Sequence, residues 1–193
     1  MSFFKKIFSS TKDNSQKQHR RVSGEVSEVY TDAYFQNRYT EEEIESSRLE
    51  GSLKMIDSYF LSNSIQRKIE DPINHPLNLD QSVEDGMGIH MYSKAFELEE
   101  SQVVMFLTVA FNDYMIKNLE FKLYKDKEPE FPMRSMTLKY DKNGAVLSLY
   151  PFEYCLKVLK SESTFEDLYL KIKDHLENLP NKDELLDKLS GED

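Results

Sequence analysis

The sequence predicts an α+β domain made of N-terminal helices, a small three-stranded antiparallel sheet and C-terminal helices. Three observations carry this. Apolar residues recur every three or four positions up to about Tyr114, alternate one by one at Phe121 to Tyr124, Ser135 to Tyr140 and Ala145 to Leu149, and return to helical spacing from Pro151 onward. A chain of 193 residues with 12 Phe and 11 Tyr has the length and the aromatic material for one core of ordinary size.

The N-terminal stretch stands apart. Residues 1–24 carry Lys5, Lys6, Lys12, Lys17, Arg20 and Arg21 against Asp13, a local +5, so with a total of −10 the remainder holds −15. From Ser9 to Gly24 the residues are polar, without hydrophobic period, and read as a disordered basic tail ahead of a single domain at 25–193. Helical spacing of Val22, Val26, Val29 and Ala33 predicts a helix over 25–37. Thr40 followed by Glu41, Glu42 and Glu43 has the form of a capping box, in which hydroxyl and carboxylate each satisfy a first-turn amide. A helix is therefore expected from there to about Ser62, with Leu49, Leu53, Ile56 and Phe60 inward.

Pro72 and Pro76 mark a loop, after which Asp80 is expected to cap a helix with Val83, Met87 and Met91 inward. Val103, Phe106, Leu107, Ala110, Phe111 and Tyr114 make the widest apolar face and predict the central helix. Strands follow at Phe121 to Tyr124, at Ser135 to Tyr140, and at Ala145 to Leu149 after the turn residues Asp141-Lys142-Asn143-Gly144. Pro151 opens a helix to about Lys160. Thr164 caps another with Phe165, Leu168, Ile172, Leu176 and Leu179 on one stripe, ended by Pro180, and Leu185, Leu186 and Leu189 suggest a short last helix.

Val103 to Tyr114, the Met136 to Leu149 hairpin, Pro151 with Lys157, and Phe165 to Leu176 together resemble an uncharacterised bacterial domain family, over about residues 98–179. In that family an apolar helix leads into a short antiparallel sheet, a proline-opened segment and a terminal amphipathic helix. The glycine usual in its central helix is replaced by bulkier residues here. The resemblance implies the fold and no catalytic residue.

Composition narrows the function classes. A single cysteine, Cys155, forms no internal disulfide, and no Asn-x-Ser/Thr acceptor is present, which points to a reducing, cytoplasmic setting. No stretch approaches the ~20 apolar residues of a membrane span. There is no P-loop, Gly-x-Gly-x-x-Gly, Gly-x-Ser-x-Gly or His-Glu-x-x-His, so no cofactor or enzyme class is indicated. His19, His75, His90 and His175 lie in contexts that do not make a metal site. The acidic body repels phosphate backbones. Lys122, Lys125, Lys127, Arg134, Lys139 and Lys142 interleave with Phe121, Tyr124, Phe131 and Tyr140 as base-stacking surfaces do, but Glu120, Asp126, Glu128, Glu130 and Asp141 nearly cancel their charge, so nucleic acid is not expected.

Three functional expectations result. The first is a non-enzymatic binding or adaptor domain whose partner is another protein. The second is an enzyme or small-ligand domain with a cleft near His90, where Glu84 and Asp85 precede the imidazole and Gly86 and Gly88 leave room for a ligand. The third is weak contact of residues 1–12 with a membrane surface or a partner, Phe3, Phe4, Ile7 and Phe8 facing apolar material while Lys5 and Lys6 face anionic groups.

Overall fold

A computed structural model describes residues 28–29, 32–142 and 145–179. The expectations for residues 1–24, Asn143-Gly144, Pro180 and the last helix lie outside these. In chain order the elements are β1 (Glu28–Val29), α1 (Asp32–Arg38), β2 (Tyr39–Glu42), α2 (Ser46–Asn63), α3 (Pro76–Glu84), α4 (Gly88–Lys94), α5 (Glu100–Leu119), β3 (Lys122–Asp126), β4 (Met136–Lys142), β5 (Ala145–Leu149), α6 (Pro151–Leu159) and α7 (Phe165–Glu177), with a short 3-10 turn at Pro132–Arg134. The class is α+β.

The sheet is larger than the sequence predicts. Five antiparallel strands lie in the order β1-β5-β4-β3-β2, the outer β1 being two residues long. Directly opposed residues share a face, so the register Leu123, Leu138, Leu149 defines an apolar side. Leu123 and Leu138 are buried there in one core with Phe106, Leu107 and Phe111 of α5 and Leu156 and Val158 of α6. The other side carries Tyr39 and Glu41 of β2, Lys122, Tyr124 and Asp126 of β3, Thr137, Lys139 and Asp141 of β4, and Val146 and Ser148 of β5.

Helix α5 is the hub, buried almost continuously from Val103 to Met115 and opened by a capping box of Glu99 and Gln102. Helix α7 begins as predicted, Thr164 Oγ1 accepting from Asp167 N, with Phe165 and Ile172 fully inward.

Other expectations are corrected. The helix expected over 25–37 is replaced by β1 and the shorter α1. Thr40 to Glu42 belong to strand β2, paired with Leu123 to Lys125, and α2 starts at Ser46 without a side-chain cap. Asp80 does not start α3. His75 does, its Nδ1 accepting from Leu77 N at 3.2 Å, while Asp80 lies inside α3 and caps α7 instead, accepting from Phe165 N at 2.6 Å and Glu166 N at 2.9 Å. Met87 and Met91 are exposed, because Gly86 and Gly88 take positive φ angles of 64° and 71° and turn α4 so that Ile89 and Tyr92 face inward.

Two amides of α3 hold the preceding loop as strand partners would. Asn78 bonds both backbone groups of Ile69, and Gln81 bonds Lys68 N and Gln66 O. Among the described residues, no helix is long and apolar enough to cross a membrane.

Candidate functional site

The cleft of interest lies on the polar side of the sheet, beneath α1. The chain reaches it because β2 joins the far edge of the sheet beside β3, and α1, directly ahead of β2, is thereby laid back over β3 and β4. A fork fixes the end of α1: Arg38 donates from Nε to Asp126 Oδ1 at 3.0 Å and from Nη2 to Oδ2 at 2.9 Å. The Arg38 guanidinium also lies over the rings of Tyr34 and Tyr39 and donates to the Tyr34 hydroxyl.

One aromatic residue anchors the middle of α1. Phe35 packs edge-on against Tyr124, with centroids 5.2 Å apart and planes at 81°, and against Tyr39 at 5.1 Å. Under it lies Lys139, only 3% exposed, with Nζ 2.7 Å from Ser148 Oγ and 4.0 Å from the centroid of the Tyr39 ring. These contacts leave a cleft of about 220 Å³, lined by Asp32, Phe35 and Gln36 of α1, Glu120, Lys122 and Tyr124 at the start of β3, Lys139 and Asp141 of β4, and Val146 of β5.

The electrostatics favour positive charge. Three carboxylates face two ammonium groups in the lining, a balance of −1. Lys122 is drawn to Glu41 at 3.2 Å on the rim, and Lys139 is directed to Ser148 and the rings. The Tyr124 hydroxyl is held above its ordinary pKa by burial and then by the charges of Glu41 and Asp141.

His90, Glu84 and Asp85 do not line this cleft. Glu84 ends α3 exposed, Asp85 caps it half-buried, and His90 sits half-buried in α4. Tyr59 shapes the turn between them, donating to Asp85 O and accepting from Gly88 N at 3.1 Å. Among the described residues, no group of three or more His, Cys, Asp or Glu is arranged to hold a metal. Phe3, Phe4, Lys5, Lys6, Ile7 and Phe8 lie outside the described residues.

Cys155 is fully buried in the core, its thiol pushed up to about 12 by desolvation. His75 packs against Tyr114 and Tyr169, and burial lowers its pKa from the ordinary 6.5.

No family model, curated protein or solved structure matches the chain. The resemblance over residues 98–179 thus stays one of pattern, and function must be read from the geometry. Sequence reasoning had already marked the mixture of Lys122, Tyr124 and Lys139 with Glu120 and Asp141. It missed Asp32, Phe35 and Gln36, which reach the same place only through the edge pairing of β2. The one signal for them was the aromatic crowding of Tyr34, Phe35 and Tyr39 beside a short polar helix.

Proposed function

We propose that this protein is a non-enzymatic binding module that recognises another protein, and that the cleft between α1 and the polar side of the sheet is its recognition site. The observation that supports this is the lining itself: rings, carboxylates and ammonium groups from α1, β3 with Glu120 just ahead of it, and β4 converge on one small opening. Convergent polar groups beside aromatic walls are what a recognition site needs for orientation and specificity. At about 220 Å³ the cleft is smaller than the ~300–1,000 Å³ of sites for drug-sized molecules, and it suits one protruding side chain of a partner. The acidic balance of the residues after Gly24 steers basic partners toward it.

The test is affinity capture with the full chain, comparing wild type, Asp32→Lys/Glu120→Lys and Glu84→Gln/His90→Ala. Asp32 and Glu120 are exposed, so charge reversal there changes the lining from −1 to +3 without disturbing the core. A partner held by wild type and by the α3–α4 variant, but lost with the double lysine variant, is the expected result. A partner retained by the double lysine variant would overturn the assignment of the cleft, and one lost only with the α3–α4 variant would move the site to His90.

A further inference from the structure

We infer that the group the cleft receives is a single arginine side chain of the partner, its guanidinium set between the Phe35 and Tyr124 rings and the carboxylates of Asp32, Glu120 and Asp141. This rests on the reading of the cleft as a protein-recognition site. Cations on this side of the sheet already sit on rings: Arg38 lies 5.3 Å from the Tyr39 centroid, and Lys139 Nζ lies 4.0 Å from it. The same arrangement repeats at the cleft, where Lys139 Nζ lies 5.9 Å from the Phe35 centroid and Tyr124 packs against that ring at 81°.

Charge selects the sign of the occupant. The carboxylates outnumber the ammonium groups by three to two, and Lys122 is drawn to Glu41 on the rim. A carboxylate or phosphate would meet Asp32, Glu120 and Asp141 and be repelled. Shape selects the kind of cation. A planar guanidinium stacks on rings while its N–H groups reach carboxylates in its own plane, and it is more weakly hydrated than an ammonium, so it gives up less on entering a half-closed cleft.

The experiment is a titration of the isotope-labelled full chain, followed by backbone amide shifts, with three blocked tripeptides, acetyl-Gly-Xaa-Gly-amide with Xaa as Arg, Lys or Glu, and with agmatine as a free small cation. The Arg peptide is expected to shift amides of α1, Lys122 to Tyr124 and Lys139 to Asp141, to bind more tightly than the Lys peptide, and to weaken with salt; the Glu peptide is expected to leave them unmoved. Phe35→Leu keeps an apolar side chain without the ring and is expected to weaken Arg binding about threefold, as for an exposed cation–π contact.

Equal or tighter binding of the Glu peptide, or shifts confined to other surfaces, would overturn the inference. Agmatine binding with no peptide binding would replace the protein side chain with a small-molecule cation and overturn it too. If the Arg peptide fails while a captured partner still depends on Asp32 and Glu120, the cleft reading stands and only the arginine falls; if both fail, the cleft reading falls with it.

Discussion

Asp80 joins two helices that are 85 residues apart in sequence, and its removal should show how much that joint holds. The side chain is 5% exposed, and its two oxygens accept from Phe165 N and Glu166 N, the first free amides of α7. Asp80→Ala leaves both donors without their acceptor. Loss of a cap costs about 0.5–2 kcal/mol and a buried unsatisfied donor about 1–3, so a loss of about 2–3 kcal/mol at pH 7 is expected.

The charge has its own signature. Burial, with Glu84 and Glu166 adding repulsion, outweighs the two amide bonds and raises the Asp80 pKa from 3.8 to about 6. A folded value above the unfolded one means that the folded state takes up the proton first. Asp80 therefore adds stability as pH falls from about 6 to about 4, and that contribution is lost as pH rises through 6. The gap corresponds to at most about 3 kcal/mol. Asp80→Asn, which keeps one acceptor and cannot ionise, should remove this slope. Urea unfolding followed by circular dichroism at pH 4 to 8 measures both effects. An Asp80→Ala midpoint equal to wild type, or an Asp80→Asn slope matching wild type between pH 4 and 6, would refute the reasoning.

Gly88→Ala should destabilise by about 1–3 kcal/mol in the same unfolding assay, because φ is +71° and an added Cβ would lie 2.8 Å from Val83 O. Gly51→Ala, with nothing within 4 Å of its Cβ, should instead stabilise α2 by up to about 1 kcal/mol. Arg38→Ala removes the fork from Asp126, which is 6% exposed, and should cost about 2–4 kcal/mol and speed amide exchange in β2 and β3 relative to α5.

Much of the fold is legible because its signals are local. The stripe from Phe165 to Leu179, the Thr164 cap and the alternation of Met136 to Leu149 each need only neighbouring residues to be read. The failures share a different cause. Thr40 to Glu42 satisfy the pattern of a helix start, yet their backbone groups pair with β3, about 83 residues downstream. Asp80 looks like a local cap and caps a distant helix. Met87 and Met91 have helical spacing, but two positive-φ glycines turn the axis between them and α3.

The candidate site shows the same division. Lys122, Tyr124, Lys139 and Asp141 stand out in the sequence as part of a mixed aromatic and charged set, and the pairing of β3 with β4 puts them on one side of the sheet. Asp32, Phe35 and Gln36 complete the cleft only because β2 adds to the sheet at its far edge.

The most direct test of the cleft uses the fact that the one native thiol, Cys155, is buried and held near 12. Gln36→Cys places a reactive thiol on the exposed rim of the cleft, where a bulky maleimide fills it. Met91→Cys, 54% exposed on α4, takes the same cap as a control. Binding of the arginine tripeptide and of any captured partner should fall at least tenfold when Gln36→Cys is capped and stay unchanged when Met91→Cys is capped. Undiminished binding to the capped Gln36→Cys protein would contradict the cleft as the recognition site.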